Sequence, residues 1–309
     1  MNQGELMQNE NRRGALFAYI CYLLTIFVIA WGAFVRATHS GAGCGKHWPM
    51  CNGEVLPFTS SIETLIEFTH RTTSGLSAIL VFCLWWWIGR RTNNTLLKKV
   101  TISALAFMGV EVMIGASLVL FGWVKDDTSG IRAVVIALHL LNSFLLLASL
   151  NAATMLTQSG RLLNQLNLNK EQLILVSLFL LTGSFGAVTA LGDTLFPVTS
   201  FAAGISQDFS FDSHFLLQLR ILHPLIAVIS SYYLIRYAAQ RLEIVPFRRC
   251  ATGLLLAVCG QIVMGLAAIV FLAPIYLQLL HLAGAMLVWH FLVQIILLQR
   301  NAPIPSNQG

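Results

Sequence analysis

Four histidines at one depth in long apolar segments are the residues of this chain best suited to chemistry. They are His70, His139, His223 and His281, and each follows the start of its segment by about two helical turns. Ionisable side chains inside a membrane are costly and usually face a site rather than lipid. Two facing imidazoles supply the two axial nitrogens of a haem iron. The four histidines therefore predict two pairs, each able to hold a haem.

An acidic and a positively charged residue flank the first of these histidines. In the segment Glu67-Phe68-Thr69-His70-Arg71, Glu67 lies three residues before His70 and so on the same helical face. A carboxylate partly removed from water beside a metal site can accept or donate protons. An ion pair between Glu67 and Arg71, four residues apart, explains the same residues without chemistry. The residues alone leave both interpretations open.

The composition places these residues in a membrane. Of 309 residues, 56% are hydrophobic and only 10% are charged, and the mean hydropathy is +0.73, whereas about a quarter of a soluble domain is charged. The polar start runs directly into an apolar segment, so no cleavable signal or transit peptide is expected. Eight segments are long enough to cross the hydrocarbon core, at about 14–36, 63–89, 99–122, 131–157, 172–192, 214–240, 249–271 and 275–299.

Positive charge is concentrated on one side of the predicted spans. The odd-numbered loops hold more acidic than basic residues, so the positive-inside rule predicts cytoplasmic termini and puts the four histidines in the outer half of the membrane. The net charge of +6 follows from this bias and needs no nucleic acid to explain it. The basic residues of the opposite side are Arg12, Arg13, Arg90, Arg91, Lys98, Lys99, Arg161, Lys170, Arg241, Arg248, Arg249 and Arg300.

Two segments of the first half recur in the second. Gly32–Ala37, at the end of the first span, resembles Gly186–Leu191 at the end of the fifth, and Gly109–Gly115 resembles Gly260–Gly265. We therefore predict an all-α integral membrane protein of two pseudo-symmetric four-helix bundles, with the histidines paired within each half. The predicted divisions are an N-terminal tail 1–13, a first half 14–157, a cytoplasmic linker 158–171, a second half 172–299 and a tail 300–309.

The first outer loop and the motif that follows it resemble the haem A synthase family. The loop contains Cys44, Trp48-Pro49 and Cys51, and Glu-x-x-His-Arg follows at 67–71. With the eight spans, the two halves and the four histidines, the resemblance covers nearly the whole chain. The cysteine loop followed by this motif is its specific part, because histidines in apolar helices occur in many membrane proteins.

The resemblance implies a reaction and assigns residues to it. Members of this family oxidise the C8 methyl group of haem O to a formyl group by successive hydroxylations, which gives haem A for terminal oxidases. Carried onto matching positions, His223 and His281 would hold a permanent haem b as cofactor. His70 and His139 would receive haem O, and Glu67 would lie beside the oxidised methyl group.

The resemblance also implies a disulfide, further contacts and partners. Cys44 and Cys51 would form a disulfide, either structural or redox-active. Arg71 and Arg220 are stronger candidates for haem propionates than Arg36 or Arg132, and snorkelling to headgroups is the plainer account of each. Implied partners are haem O, haem O synthase, an electron acceptor and lipid of the cytoplasmic membrane, with no nucleic acid; homo-oligomerisation is left open.

The second half departs from the family pattern. Many relatives have a second cysteine pair before the sixth span, but loop 193–213 contains no cysteine. Pro224 directly follows His223 and should kink the helix there. Glu111 in the third span matches Gln261 in the seventh, which favours a neutral helix–helix hydrogen bond slightly over a proton path.

Two other classes of protein use the same histidines. A dihaem b electron carrier needs both pairs but has no use for Glu67. A haem-binding transport or assembly protein without chemistry would tolerate the loss of Glu67. Haem O synthase is disfavoured, because a prenyltransferase needs aspartate-rich motifs for magnesium diphosphate and Asp126-Asp127 are the only adjacent aspartates.

Overall fold

The fold, taken from a computed structural model, consists of α-helices and short connections. The structure describes residues 3–55, 57, 61–159 and 167–301, and the side chains of 11–55, 57, 61–159 and 167–299. Within these ranges there is no β-strand. The middle of the predicted linker, with Arg161, and tail residues 302–309 lie outside the described residues.

Ten α-helices follow one another along the described chain. A 3-10 turn, Ser40–Ala42, follows the first helix, and a π-helical turn, Trp85–Gly89, continues the second. The helices are α1 (Gln3–Ala37), α2 (Ile62–Leu84), α3 (Thr95–Leu120), α4 (Gly130–Ser159), α5 (Lys170–Leu195), α6 (Phe201–Phe209), α7 (Phe215–Leu219), α8 (Leu222–Ala239), α9 (Arg248–Val270) and α10 (Ile275–Asn301).

Eight segments of this series are long and apolar enough to cross a membrane, which confirms the predicted all-α class and number of spans. Most bounds agree with the prediction within a few residues. The first differs, because α1 begins at Gln3, well before the apolar stretch that starts near residue 14. Hydropathy marks the part of a helix that suits lipid and does not mark where the helix itself begins.

The sixth span is broken just before one of the four histidines. Helix α7 ends at Leu219 and α8 begins at Leu222, with a turn between them. Pro224 has no amide hydrogen, and its ring crowds the carbonyl group four residues earlier, which is that of Arg220. The dihedral angles of Arg220 and Ile221 stay helical, so the distortion expected at Pro224 is a local interruption of the helical hydrogen bonds, and it places His223 in the first turn of α8.

A short helix that hydropathy did not predict lies between the fifth and sixth spans. Helix α6 is nine residues long, and the Ser200 side chain caps it by accepting from the backbone N–H of Ala203. Phe201, Ile205 and Phe209 recur every four residues along it and are exposed. The helix is too short to give a spanning signal, so its amphipathic period was missed within a loop.

Helices α4 and α10 occupy the centre of the molecule. In the most apolar window of each, 44% of the residues are buried, against 11% for α3 and α9. Phe144 of α4, Phe179 of α5 and Trp289 of α10 pack together where these helices meet, and the indole N–H of Trp289 donates to the carbonyl of Phe144 at 2.7 Å. The predicted first and second halves therefore share one hydrophobic core.

Candidate functional site

One large cavity of about 1170 Å³ has all four predicted histidines in its lining. Ordinary ligand pockets measure about 300–1000 Å³. The cavity extends along helices of both halves, and the aromatic residues Phe144 and Phe179 line it between them. The four histidines thus belong to one continuous space that is large enough for a big apolar ligand.

Two of the histidines pack directly on glycines of a preceding span. An added Cβ at Gly32 of α1 would lie 2.9 Å from Cε1 of His70, and one at Gly186 of α5 would lie 3.0 Å from Cε1 of His223. Real Cβ atoms essentially never approach within 3.0 Å, and a contact of 3.0 Å is tighter than nine in ten of those observed. A side chain at either position would therefore force the imidazole to move, and glycine is the residue that leaves it in place.

The other two histidines also pack beside glycines, less tightly. A Cβ at Gly265 of α9 would lie 3.2 Å from Cε1 of His281, and one at Gly115 of α3 would lie 3.7 Å from Nε2 of His139. All four glycines belong to the repeated sequence segments. Their part in the repeat is to let a neighbouring span bring an imidazole against the backbone.

The second pair of histidines faces each other across the cavity. The ring centroids of His223 and His281 are 6.1 Å apart, and the rings are nearly perpendicular. His223 Nδ1 lies 3.1 Å from the carbonyl oxygen of Thr182, so Nε2 is the nitrogen left for another ligand. A metal–imidazole bond is about 2 Å long, so two axial donor nitrogens lie about 4 Å apart. The facing rings fit this requirement.

Unpartnered nitrogens give a second indication of a ligand. The Nδ1 atoms of His70 and His281 are buried and have no hydrogen-bond partner. Most buried polar side-chain atoms have a partner, so an exception requires an explanation. Either ring nitrogen of a histidine can bind a metal, so a metal-centred ligand between the rings supplies one, and the residues present fit a bis-histidine haem.

A carboxylate lies behind His139, where the sequence favoured a neutral helix–helix contact. Glu111 Oε1 is 3.1 Å from His139 Nδ1, and Oε2 accepts from the Asn142 amide at 2.5 Å. The Ser143 hydroxyl donates to Oε1. Glu111 of α3 thus forms hydrogen bonds with α4, as the sequence favoured, and it also contacts a histidine of the cavity. Asn142 and Ser143, three and four residues after the histidine and without a polar counterpart in the second half, were the missed signal.

Glu67 forms the ion pair that the sequence offered as one interpretation, and it also lines the cavity. Its side chain is 3% exposed. Oε1 accepts from Arg71 Nη2 at 2.6 Å and from Nε at 3.1 Å, and Oε2 accepts from the backbone N–H of Cys44 at 2.8 Å. The carboxylate therefore joins helix α2 to the loop between α1 and α2 and faces the site from there.

The loop between α1 and α2 is closed by the predicted disulfide between Cys44 and Cys51, which is confirmed. Arg71 holds the loop from helix α2, since Nη1 donates to the carbonyl of Met50 at 2.7 Å and to that of His47. Trp48 and Pro49, at the tip of the loop, line the cavity. The disulfide loop thus covers the cavity beside the first histidine pair.

Arg220 is engaged in ion pairs at the break before α8. Its guanidinium lies 2.9 Å from Asp193 Oδ1 and 2.6 Å from Asp208 Oδ1. These contacts tie α5 and α6 to the junction of α7 and α8. Both of the arginines favoured for propionates, Arg71 and Arg220, therefore already have carboxylate partners within the protein.

Two further cavity arginines have no carboxylate among the ion pairs of the described residues. Arg36 donates to the Ala190 carbonyl at 2.5 Å, to Thr194 Oγ1 at 2.6 Å and to Gln278 Oε1 at 3.0 Å. Arg132 donates to the backbone carbonyls of Lys125 and Asp127, and its Nε is buried without a partner. Each of these cations is held in place while its charge is not neutralised by a direct ion pair.

The sequence matches the COX15-CtaA family, described as "Cytochrome oxidase assembly protein", over residues 15–293. The match reaches into all eight spans and includes every residue of the candidate site. The chain belongs to this family. The family and its apolar helices identify a multi-pass membrane protein, and the resemblance found in the sequence is confirmed at the level of the family.

Individual relatives carry two different names. A protein of Thermus thermophilus named "Protoheme IX farnesyltransferase" is 43% identical over 287 residues, which are 90% of this chain and 47% of that protein. A "Heme A synthase" of Exiguobacterium sibiricum is 33% identical over 148 residues, 47% of each chain. A "Heme A synthase" of Bacillus cereus is 41% identical over 108 residues, 34% of each. The chain spans about half the length of the first of these curated relatives.

Proposed function

We propose that this family member is a haem A synthase, an oxidoreductase that converts the C8 methyl group of haem O to a formyl group by successive hydroxylations. The product would serve the biogenesis of terminal oxidases. The observation that carries the proposal is the single cavity lined by four histidines, in a chain of the cytochrome oxidase assembly family. Relatives named haem A synthase support it.

His223 and His281 are proposed to hold a haem b cofactor in the second half. Their facing rings, 6.1 Å apart, and the contact between His223 Nδ1 and the Thr182 carbonyl support this assignment. The carbonyl accepts a hydrogen bond from Nδ1–H and so favours the tautomer whose Nε2 is free to bind iron. When bound, haem b supplies one-electron transfer.

His70 and His139 are proposed to bind the substrate, haem O, in the first half, with Glu67 as the catalytic acid or base. Arg71 and the Cys44 N–H fix both oxygens of Glu67, so the carboxylate is held in one orientation at the cavity wall. A fixed carboxylate can take a proton from a substrate group without reorganising. The second half has no acid at the position that matches Glu67.

The outer end of the cavity is proposed to hold the propionates of both haems. Arg71 and Arg220 were the first candidates, but each is paired with carboxylates of the protein. Arg36 and Arg132 have no such pair among the described residues, and carbonyl contacts fix their positions. Charge-assisted bonds to an anion are strongest where the cation is not already neutralised. The contacts therefore favour Arg36 and Arg132.

The surroundings of the site complete the proposal. Positive charge on one side of the spans supports a cytoplasmic location of both termini in the cell membrane, with the histidines toward the outer face. The glycine–histidine contacts, one in each of four helix pairs, support the division into halves 14–157 and 172–299. Haem O synthase and an electron acceptor are the partners that this reaction requires.

Prenyl transfer is the second candidate, because the longest matches carry the name of a farnesyltransferase. Those matches cover 47% of each relative, so more than half of each named protein lies outside the aligned region. The adjacent aspartates of this chain also have local contacts. Asp127 accepts from the Ser129 N–H at 2.6 Å, and Asp126 lies 3.5 Å from His39. Methyl oxidation therefore remains the better-supported function.

Extraction of haem from the purified protein tests these functions against each other. The full chain is expressed in a host that makes haem O but no haem A, and extracted haems are separated by chromatography and identified by mass. Haem A, or a hydroxylated precursor, together with haem B would support the synthase. Haem B alone at two per chain would favour the electron carrier. Bound haem O without oxidised product would favour an assembly protein, and absence of haem would refute the site.

The same chain in a host that lacks haem O synthase tests prenyl transfer. Haem O in that host would establish a farnesyltransferase and overturn the proposal. The Glu67→Gln variant is the matched control in the first host, since it alters one atom of the side chain and leaves all four histidines in place.

A further inference from the structure

The carboxylate behind His139 is built into the fold on two sides. Asn142 and Ser143, in the turn that follows His139, each donate to one oxygen of Glu111. The Asn142 amide also donates to the Phe107 carbonyl at 2.9 Å, and the Ser143 hydroxyl donates to the His139 carbonyl at 3.0 Å. Helix α4 therefore carries the His139 imidazole and also holds Glu111 beside it.

The approach of Glu111 to the ring has the distance of a hydrogen bond. Oε1 lies 3.1 Å from His139 Nδ1, but the N–H of that nitrogen is not aligned with the oxygen. Because the carboxylate is anchored by two donors, rotation of the imidazole about its Cβ–Cγ bond is the movement that aligns the pair. Binding of a metal at Nε2 fixes the ring, and metal-bound histidines usually donate their other N–H to a carboxylate or carbonyl.

The matching position of the second half lacks this arrangement. Gln261 replaces Glu111, while Gly284 and Ala285 stand three and four residues after His281. Gln261 Oε1 is buried without a partner, and a Cβ at Gly284 would lie only 2.3 Å from it. Among the described residues the histidine ring with a fixed acceptor in this half is His223, whose acceptor is a neutral carbonyl.

We propose that Glu111 is a positioning residue that directs the Nδ1–H of His139 toward itself and strengthens Nε2 as a donor to iron, which gives the two haem sites unequal reduction potentials. The inference rests on the proposed function, in which His70 and His139 hold the substrate haem. An anionic acceptor makes the imidazole more basic than a neutral carbonyl does. A more basic axial ligand favours ferric iron, so the first site has the lower potential.

The direction of this difference suits the proposed reaction. Electrons removed at the first site move to the site of higher potential, which is the second. The unequal partners of the two histidine pairs, a carboxylate for His139 and a carbonyl for His223, thus distinguish the site of oxidation from the site that receives electrons.

Potentiometry of the haem-loaded full chain tests the inference without turnover. Optical redox titration should resolve two midpoints, and the His281→Ala variant, which empties the second site, identifies the midpoint of the first. In Glu111→Gln the ferric-to-ferrous ratio of the first haem at a fixed potential should fall about tenfold. This corresponds to a rise of about 59 mV in the first midpoint for a one-electron couple. The second midpoint should not move.

Two further variants separate charge from packing. Glu111→Asp keeps the negative charge and should leave the first midpoint closer to that of the unaltered protein than Glu111→Gln does. Gln261→Glu places a carboxylate at the matching position and should lower the second midpoint, which also provides a test if Glu111→Gln does not retain haem. Both predictions fail if neither midpoint moves, or if Glu111→Asp shifts the first midpoint as far as Glu111→Gln does.

The readout distinguishes this inference from the proposed function. Haem B in both sites is sufficient for the titration, so the midpoints can be measured even if the protein makes no haem A. A shift in Glu111→Gln without haem A formation would support the role of Glu111 and refute the synthase. Formation of haem A with unchanged midpoints would support the synthase and refute the role of Glu111.

Discussion

The packing of the histidines on glycines can be tested by adding one methyl group at a time. In Gly32→Ala the new Cβ would lie 2.9 Å from His70 Cε1, and in Gly186→Ala it would lie 3.0 Å from His223 Cε1. Ordinary contacts begin at 3.4 Å, so the imidazole must retreat by about 0.5 Å in the first variant. Each substitution should weaken haem binding at the histidine that it displaces.

Matched substitutions at open positions provide the control. An added Cβ at Gly109 or Gly260 would meet no atom within 4 Å. Replacing glycine by alanine inside a helix stabilises it by about 0.5–1 kcal/mol when there is space, whereas overpacking costs about 1–3 kcal/mol. Gly32→Ala and Gly109→Ala should therefore differ by roughly 1.5–4 kcal/mol. If only the overpacking cost opposes haem binding, about 1–3 kcal/mol corresponds to a loss of haem affinity of roughly 5-fold to 150-fold.

The haem content of the purified variants measures the effect on haem binding, and their thermal unfolding measures the effect on stability. Haem per chain, determined from the pyridine haemochrome spectrum after extended washing in detergent, should fall in Gly32→Ala and Gly186→Ala and stay normal in Gly109→Ala and Gly260→Ala. Gly115→Ala, with its Cβ 3.7 Å from His139, should behave like the open controls. The reasoning is refuted if Gly32→Ala retains as much haem as Gly109→Ala.

Three other predictions follow from the contacts around the cavity. Glu67→Gln should leave the haem absorbance largely intact and stop oxidation of haem O, and product formation at the normal rate would remove Glu67 from the mechanism. Arg132→Gln should lower haem retention with little change in the melting temperature. Arg220→Gln should instead lower the melting temperature, because it leaves Asp193 and Asp208 unpaired at a cost of about 3–5 kcal/mol. Equal effects of the two variants on haem retention and on melting temperature would contradict this division. Pro224→Ala should allow α7 and α8 to join into one helix and reorient His223, which would appear as altered low-spin haem absorbance without loss of helical circular dichroism.

Features written in local sequence could be predicted, because their physical cause is local. Hydropathy gave the eight spans, since each must satisfy its own backbone hydrogen bonds in lipid. Spacing gave the ion pair of Glu67 with Arg71, and Pro224 gave the break before α8. The disulfide of Cys44 with Cys51 came from resemblance to a family and is present.

Contacts between distant segments could not be obtained in this way. Arg36 of α1 reaches Thr194 of α5 and Gln278 of α10, more than 150 residues further along the chain. Nothing in the sequence around an arginine near the end of a span tells which carbonyl or carboxylate it will meet. The partners in the structure therefore favour Arg36 and Arg132 for propionates, whereas the sequence favours Arg71 and Arg220. Helix α6 was missed for a different reason, since a short amphipathic helix has no spanning signal.

The contacts of Glu67 also connect the role of this acid with that of the disulfide. One carboxylate oxygen accepts from the backbone N–H of Cys44, and Arg71 links the other oxygen to the carbonyls of His47 and Met50 within the disulfide loop. The bridge therefore restrains the loop that contacts both the carboxylate and its arginine partner. Opening it would release the loop from which Glu67 takes its orientation, while the histidines remain packed on their glycines. The structural interpretation of Cys44 and Cys51 therefore extends to the orientation of Glu67.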